Sequence, residues 1–323
     1  MRLASLAGLR KKRIVCLPDF FLDAVVKLPA WGVARTQMGR IARHGGGNLL
    51  IPPVEFKAGG NATNTAFALA RLGARVDLIA ETDALGRFVL GQMTRGSGLG
   101  LDHVRVGSAS PTTIALEMGG SNVMLSHSGP VRGFGPERLR RKDRRLLEAA
   151  DAVVIVNWGQ NRRGTELLRA VVPRLAQKGV FVYVDTADPR HRGRDQAALM
   201  KERSMWDHVG AWGLNENELR AFSADDNTPL GQLAQDFSRR HGCYVDLHTR
   251  TWALSAKGGV ATRVRADPSK ARRLTGAGDA WNAGNLAGHL LGWPARERLR
   301  LAHRVATKYV TGTTGLPPAP ADL

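Results

Sequence analysis

Short apolar runs rich in β-branched residues alternate along most of the chain with segments whose apolar residues recur at helical spacing. The predicted strands are "RIVCL" (13–17), "RVDLIA" (75–80), "AVVIVN" (152–157), "VFVYVD" (180–185), "HVGAWGLN" (208–215) and "CYVDLH" (243–248). The helical segments between them close on glycine. This alternation predicts the α/β class, with a mainly parallel sheet covered by helices on both faces. Right-handed crossovers then place the carboxyl ends of the strands along one edge, where such sheets bind ligands.

Two stretches interrupt the alternation, and we assign them to a small β-strand lid. Residues 24–58 contain short apolar segments around a loose Gly- and Arg-rich stretch, and residues 104–128 predict a β-hairpin around a "GGSN" turn. An ordinary edge hairpin fits the same periodicity. Residues 1–12 predict a disordered basic tail, and residues 13–323 a single domain.

The formal net charge of +19 fits either a nucleic-acid-binding surface or a protein whose ligands carry several negative charges. Positive clusters lie at 10–13, 138–145 and 190–194. Aromatic residues make up only 6% of the chain and are not interleaved with these clusters, which argues against stacking platforms for single strands. Residues 137–150 fit a solvated helix face. We therefore expect no nucleic-acid partner.

Three features favour a cytoplasmic protein without a membrane partner. No apolar run approaches the roughly 18 residues of a membrane-spanning helix. The N-terminus lacks the apolar centre of a signal peptide. Cys16 and Cys243 are too few for a disulfide framework and each sits in an apolar run, so we expect buried thiols in a reducing compartment.

The first of three candidate motifs is "AGGNATNTAFALARLG" (58–73). Gly59 and Gly60 would let backbone N–H groups approach a ligand, and Asn64 could present its amide from the first helical turn. A plain helix start with a capping asparagine needs the same residue types, so the local sequence leaves both roles open. The segment is neither a Walker loop nor a dinucleotide fingerprint.

The second motif, "GLNENEL" (213–219), lies at the end of a predicted strand. Asn215 and Glu218 are three residues apart and would face the same way on a helical first turn. An amide and a carboxylate at this edge suit a hydrated Mg²⁺. An N-cap asparagine followed by acidic residues in the first turn explains the pattern as well.

The third motif is "RRLTGAGDAWNAGNLAG" (272–288). Gly276, Ala277 and Gly278 would leave backbone N–H groups free at a helix start, which makes an anion site. Asp279 would follow in the first turn, where it could accept a proton from an attacking hydroxyl. Capping a helix that begins at Ala280 would be compatible with that role.

In order and wording, the three motifs resemble the ribokinase-like (PfkB) carbohydrate kinase family. "AGGNATNTAFALARLGA" is similar to that family's N-terminal signature, "LNENEL" to its N-x-x-E motif, and "TGAGDAWNAG" to its C-terminal signature. Further similarities are "DFFLDAVVKLP" (19–29), for the first strand with its substrate aspartate, and "VDTADPR" (184–190). The resemblance runs from about Arg13 to Gly315. It implies a three-layer α/β/α fold with a mainly parallel sheet and a small β-strand lid.

The resemblance also implies a role for each motif. Asp279 would deprotonate the acceptor hydroxyl, beside an anion hole made by the backbone N–H groups of Gly276, Ala277 and Gly278. The lid would close over the substrate and exclude water, which would otherwise compete as the phosphoryl acceptor. The Mg²⁺–water network near the ATP phosphates would be held by Asn215 and Glu218. The acceptor's hydroxyls would be bound by Asp23, Gly59, Gly60 and Asn64.

Three positions depart from the family pattern. The residue three before Gly276 is often an aspartate of a monovalent-cation site but is Arg273 here, so we expect no potassium dependence. The family's T-x-G before the nucleotide loop is replaced by "LHTRTWALS" (247–255), where Arg250 could act as a phosphate partner. An asparagine near the adenine is replaced by His303.

The leading hypothesis is a kinase that uses ATP and Mg²⁺ to phosphorylate a hydroxyl of a sugar, sugar phosphate or nucleoside. Arg162 or Arg163, after a predicted strand, could grip a substrate phosphate, although solvated loop arginines explain them as well. A homodimer could form through the lid strands. The alternative is a non-catalytic or regulatory protein of the same fold that binds nucleotide or nucleic acid through its basic surface. A dinucleotide-dependent oxidoreductase would need a G-x-G-x-x-G that the first strand lacks.

Overall fold

A computed structural model of the protein describes residues 5–118, 121–267, 271–273 and 275–323. The strands are β1 (Arg13–Leu17), β2 (Phe21–Leu28), β3 (Glu55–Gly59), β4 (Arg75–Leu78), β5 (Ala80–Thr82), β6 (Val104–Val106), β7 (Thr112–Met118), β8 (Ser121–His127), β9 (Ala152–Val156), β10 (Phe181–Asp185), β11 (Ala211–Asn215), β12 (Tyr244–His248), β13 (Trp252–Lys257) and β14 (Val260–Arg265). The α-helices are α1 (Trp31–Arg43), α2 (Asn61–Arg71), α3 (Ala84–Met93), α4 (Arg141–Glu148), α5 (Gly164–Gln177), α6 (Arg194–Lys201), α7 (Arg203–Trp206), α8 (Glu216–Ser223), α9 (Leu230–His241), α10 (Ala277–Leu290) and α11 (Ala295–Thr311).

The central sheet has eight strands in the order β14-β13-β12-β11-β10-β9-β1-β4. The six neighbouring strands β4, β1, β9, β10, β11 and β12 run parallel to one another. At the other edge, β13 pairs antiparallel with β12, and β14 pairs antiparallel with β13. The prediction of a mainly parallel sheet is confirmed. Each of the six predicted runs forms a central strand, and "RIVCL" has the predicted bounds. "RVDLIA" divides between β4 and β5, because Ala80 pairs with β6 in a separate two-stranded sheet.

Both faces of the central sheet are buried, as the apolar strands predict. Val15 and Leu17 of β1 belong to one core, which includes side chains of α5, α8 and α9. Ile14 and Cys16 point to the other face and pack with side chains of α2 and α10. Burying a valine, leucine or isoleucine side chain contributes about 1.5–3 kcal/mol to the free energy of folding. Cys16 and Cys243 are both free and buried, as predicted. No helix in the described residues combines the length and apolarity that crossing a membrane requires.

A second sheet, in the order β3-β2-β7-β8, stands apart from the central one. It corresponds to the predicted lid, and β7 and β8 form the predicted antiparallel hairpin, with Met118 opposite Ser121. The "GGSN" turn falls partly on residues 119–120, outside the described residues.

Two expectations for the lid region are wrong. The stretch expected to be loose contains the helix α1, which the apolar pattern misses because only Ala34 of that helix is buried. Asp23, expected on the first strand, lies on β2 of the lid sheet. The first central strand ends before it, at Leu17.

Residues 6–11, expected to be part of a disordered tail, form a 3-10 helix. The backbone N–H of Ala7 donates to Ser5 Oγ over 3.1 Å at its start. Leu9 is fully buried in the same core as α2 and α10, which explains the order, since one apolar side chain anchors an otherwise basic segment.

Candidate active site

Polar side chains lie where four neighbouring central strands end. Asn157 follows β9, and Asp185, Asn215 and His248 are the last residues of β10, β11 and β12. All four line a cavity of about 270 Å³. This is the edge at which the predicted topology places ligands.

The lid sheet contributes the opposite wall of this cavity. Asp23 of β2 pairs in register with Thr113 of β7, which pairs with Ser126 of β8. These three and Met124 line the cavity. Because side chains alternate along strands, one face of the lid is polar and turned to the cavity, while the intervening residues face away.

The segment before α2 brings glycines against the lid aspartate. A Cβ at Gly59 would lie 1.9 Å from Asp23 Oδ2, so a larger residue there would displace the Asp23 carboxylate. Gly60 has a φ of +95° and lines the cavity with Asn61 and Asn64. Gly59, the last residue of β3, does not line the cavity.

Asp19 caps α2, and the sequence reasoning missed it. Its carboxylate accepts hydrogen bonds from the backbone N–H groups of Asn61 (3.1 Å) and Ala62 (2.7 Å) and from Asn157 Nδ2 (2.7 Å). Burial raises the pKa of Asp19 to about 6, against the hydrogen bonds that lower it. Asn64 is therefore free of the capping role, since Asp19 fills it. An acidic residue directly after the first predicted strand was the signal available.

The third motif forms the start of α10. The helix begins at Ala277, not Ala280, and its N-cap Gly276 adopts a left-handed conformation with a φ of +82°. Gly276, Gly278 and Asp279 line the cavity, whereas Ala277 does not. Asp279 is 8% exposed, and one of its oxygens, Oδ2, accepts a hydrogen bond from Asn64 Nδ2 over 2.8 Å. The first and third motifs thus meet directly.

The second motif forms a capping box at the start of α8. Asn215 Oδ1 accepts from the N–H of Glu218 (3.0 Å), and Glu218 Oε2 accepts from the N–H of Asn215 (2.9 Å). Both residues also line the cavity. The capping interpretation is therefore correct, and it is compatible with a place in the cavity wall.

Asp185 is a further cavity residue that the sequence reasoning assigned no role. It accepts from Asn282 Nδ2 of α10 over 2.6 Å, and Tyr183 Oη donates to Asn282 Oδ1 over 2.8 Å. This buried chain of hydrogen bonds fixes Asp185 relative to α10, the helix that carries Asp279.

The cavity is acidic although the chain is strongly basic. Its lining, within the described residues, contains no lysine or arginine but four carboxylates: Asp23, Asp185, Glu218 and Asp279. Burial is the largest cause of a raised pKa at all four, to about 7 for Asp23 and well above the ordinary range for Glu218 and Asp279. Neighbouring carboxylates raise three of these values further. Carboxylate and amide oxygens around one space form a donor set that suits Mg²⁺.

Several predicted site residues lie outside the cavity. Arg250 is exposed in the turn between β12 and β13, and Arg162 is exposed at the surface. Arg163 pairs with Glu137 and with Glu166, which supports the solvated interpretation.

Arg273 and His303 lie near the cavity without lining it. Arg273 Nη1 donates to the carbonyl of Tyr309 over 2.6 Å, and the guanidinium lies 5.5 Å from the ring centroid of Tyr309. His303 is buried on α11, with its ring 6.4 Å from that of Trp281.

Comparisons with known proteins identify the family. The sequence model of the pfkB family carbohydrate kinases matches residues 33–321. No curated protein matches the sequence. Similar solved structures include the adenosine kinase of Sinorhizobium meliloti, at 17% identity over 95% of this chain and 96% of that one with a TM-score of 0.77. A probable sugar kinase of Rhizobium etli has 17% identity, 97% coverage of both chains and a TM-score of 0.78. An Arabidopsis thaliana ribokinase, complexed with ribose and ATP, has 18% identity over 96% of this chain and 97% of that one with a TM-score of 0.73. The predicted fold is confirmed, and the chain belongs to the pfkB family of carbohydrate kinases.

Proposed function

We propose that the protein transfers the γ-phosphoryl group of ATP to a hydroxyl group of a sugar, sugar phosphate or nucleoside, with Asp279 as the general base. The observation that carries this proposal is the position of Asp279. Its carboxyl group is buried at the start of α10, is held on one oxygen by Asn64, and lies in the first turn of that helix, where backbone N–H groups have no acceptor within the helix. A base and an anion site within one helical turn are what in-line phosphoryl transfer needs.

On the acceptor side, the lid and α2 supply groups that bind hydroxyls. Asp23, Asn64, Thr113 and Ser126 surround the cavity with carboxylate, amide and hydroxyl groups. An acceptor hydroxyl bound here would pass its proton to Asp279 while its oxygen forms the new bond to phosphorus. The bond from phosphorus to the bridging oxygen of ADP breaks in the same step. The lid, closing the other side, would keep water from accepting the phosphoryl group.

On the donor side, the backbone N–H groups of Gly276, Ala277 and Gly278 are available for the phosphate oxygens. The Arabidopsis thaliana ribokinase with bound ATP supports this choice of donor. No described lysine or arginine lines the cavity, so the remaining charge needs a cation. Asn215, Glu218 and Asp185 would hold Mg²⁺, which would neutralise charge on the phosphates when bound. The described residues contain no group of three or more histidine, cysteine, aspartate or glutamate side chains placed to hold an ion, so we expect water and phosphate to complete its shell.

The regulatory alternative differs in what it requires of these residues. A protein that only bound nucleotide would need the anion site but not the oriented Asp279. Whether the protein transfers a phosphoryl group to an acceptor therefore decides between the kinase and the regulatory alternative. The first experiment is ATP consumption screened against nucleosides, pentoses, hexoses and phosphosugars.

With the best acceptor from that screen, Asp279→Asn is expected to lower kcat about 10²–10⁴-fold, the usual contribution of a positioned general base. The substitution keeps the shape and the hydrogen-bonding capacity of the side chain, so ATP affinity measured by calorimetry should change by no more than about threefold. Asp226→Asn, at an exposed aspartate outside the cavity, is the matched control and should behave as the unaltered protein. Retained turnover in Asp279→Asn would refute the assignment of the base. A chain that phosphorylates no acceptor but binds RNA or DNA with a steep salt dependence would favour the regulatory alternative.

The pH dependence of stability tests the buried acidity of the cavity. Burial raises the pKa of Asp23 to about 7 from an ordinary 3.8, so between these values the folded chain binds more protons than the unfolded one. The free energy of unfolding therefore falls as pH rises through this window. Asp23→Asn removes that loss, and its stability relative to the unaltered protein should grow by about 2–3 kcal/mol from pH 5 to pH 8. Urea unfolding of the metal-free protein measures this, with Asp226→Asn as the control. Parallel curves for Asp23→Asn and the unaltered protein would contradict the prediction.

Arg273 is expected to make the enzyme independent of potassium. Its guanidinium donates a hydrogen bond to the carbonyl of Tyr309. It also lies close to Gly315, where an added Cβ would be 3.6 Å from its Nη2. A fixed positive charge therefore occupies the space beside these two residues. The rate in potassium, sodium or tetramethylammonium chloride at equal ionic strength should agree within about twofold. In Arg273→Ala the carbonyl of Tyr309 loses this donor, so the rate should be lower than that of the unaltered enzyme. Potassium should restore part of that rate. Strong potassium stimulation of the unaltered enzyme would overturn this prediction.

We also propose that two copies pair through the outer face of the lid. Ala24 of β2 lies in register with Phe56 of β3 and Ile114 of β7, and Ile114 with Leu125 of β8. Phe56, Ile114 and Leu125 are 61%, 45% and 54% exposed, which forms an apolar row on the face turned away from the cavity. Light scattering should give twice the chain mass for the unaltered protein and the mass of one chain for Leu125→Glu. Val260→Glu, at an apolar position on β14 that is 77% exposed, should leave the dimer intact. A monomeric unaltered protein would refute the pairing.

A further inference from the structure

A second cleft, of about 740 Å³, lies outside the candidate active site and shares none of its lining residues. It is formed by α6, α7 and the last turns of α8 and α9. The residues that line it are Gly193, Gln196, Ala197, Met200, Lys201, Arg203, Ala221, Phe222, Ala224, Arg240 and His241. Nothing in the proposed kinase mechanism uses these residues.

The rim of the cleft is positively charged without compensation. Lys201, Arg203 and Arg240 are exposed, and none of them forms an ion pair with any described residue. No aspartate or glutamate lines the cleft. Asp207 is close enough to act on His241 but is not a lining residue. Three cationic side chains that line one concave surface attract an anion.

A buried polar atom provides the second, independent observation. His241 lines the cleft, is 2% exposed, and its Nε2 has no hydrogen-bond partner among the described residues. The ring is packed among aromatic residues, 5.1 Å from Trp206 and 5.7 Å from Phe237 between centroids. Burial first, then Arg240 and Arg203, lowers the pKa of His241 to about 4, so the imidazole is neutral. A buried nitrogen without a partner is costly, and a ligand group that reached it from the cleft would remove that cost.

The floor of the cleft is apolar. Met200 and Phe222 contribute the larger apolar side chains, and Ala197, Ala221 and Ala224 the smaller ones. Phe222 is held in place by Trp212, with ring centroids 4.9 Å apart. An apolar floor under a cationic rim suits a ligand with a flat apolar part and a negatively charged end.

We propose that this cleft binds a small organic phosphate with an apolar ring, whose phosphate contacts Lys201, Arg203 and Arg240 and whose ring lies on Met200 and Phe222. His241 supplies a hydrogen bond at the inner end. Arginine and lysine are the side chains that bind phosphate in proteins. The inference is independent of the proposed function, because the site is separate from the candidate active site.

Phenyl phosphate is the probe that tests the proposal, with phenol and inorganic phosphate as its two halves. Calorimetry is performed on the full chain in EDTA, because the acidic active cavity repels a phosphate when no divalent cation is present. One equivalent of phenyl phosphate should bind at least about tenfold more tightly than either half alone. Absence of binding, or equal binding of phenol, would overturn the proposal.

Variants then locate the binding. In the triple variant Lys201→Ala, Arg203→Ala, Arg240→Ala the affinity for phenyl phosphate should fall at least about tenfold. The matched control is Lys178→Ala, Arg194→Ala, Arg239→Ala, which removes the same charge at exposed positions outside the cleft and should bind as the unaltered protein does. Equal weakening in both triple variants would show a general charge effect and refute the site. Unchanged binding in the cleft variant would refute it as well.

A separate variant tests the buried nitrogen. His241→Phe keeps an aromatic ring in the core and removes Nε2, and it should weaken phenyl phosphate binding at least about threefold. Thermal unfolding with unchanged cooperativity establishes that the variant is folded. Unchanged affinity in folded His241→Phe would overturn the part assigned to His241.

Discussion

The close packing of α10 against its neighbouring helices is the constraint on which the candidate site depends. A Cβ at Gly284 of α10 would lie 2.8 Å from Cα of Ala302 on α11, so the two backbones touch at this point. The side of α2 that packs with α10 is also made of small residues, among them Ala62 and Ala66. Small residues let helix backbones approach. The first turns of α2 and α10 therefore meet. Asn64 Nδ2 donates a hydrogen bond to Asp279 Oδ2, 215 positions later in the chain, over 2.8 Å. Helix packing, rather than a flexible loop, sets the geometry of the proposed base.

This packing gathers negative charge that opposes folding. Each buried carboxyl group in the cavity has a raised pKa, because burial penalises its charged form. Such groups are retained in active sites at a cost in stability. A divalent cation that binds their oxygens would need them deprotonated, so metal binding and proton release would be linked. The acidity of the cavity and its proposed need for a cation thus have the same cause, which is the group of buried carboxyl side chains.

The elements that could be predicted from the sequence are those whose signal is local. A strand buried on both faces has to be apolar throughout, so β1 and β9 to β12 stand out as apolar runs. A glycine-rich helix start at a strand end is equally local, and this placed Asn64, Asn215 and Asp279 at one edge. The helix α1 carries no apolar stripe because it buries only Ala34, and it could not be found by periodicity.

The rest depends on partners that are distant in the chain. Leu9 orders the N-terminal segment by entering a core assembled from later helices. Asp19 caps α2 and holds Asn157, 138 residues further on. Local sequence could identify Asp19 as an acidic residue after a strand, but its partners follow only from the fold. For the same reason the local choice between capping and binding at Asn215 had no answer: the fold makes Asn215 a cap that also lines the cavity.

The two concave surfaces assign different environments to phosphate. The candidate active cavity has backbone N–H groups and carboxylates but, among the described residues, no cationic side chain, so on our proposal a phosphate would need a metal ion there in addition to the N–H groups. The cleft beside His241 offers three cationic side chains and no carboxylate. On the two proposals together, a metal–nucleotide complex fits the first surface and a metal-free organic phosphate the second. If both proposals hold, the presence or absence of a divalent cation would decide which of the two sites a phosphate-bearing ligand enters, and the two sites would not compete for one ligand.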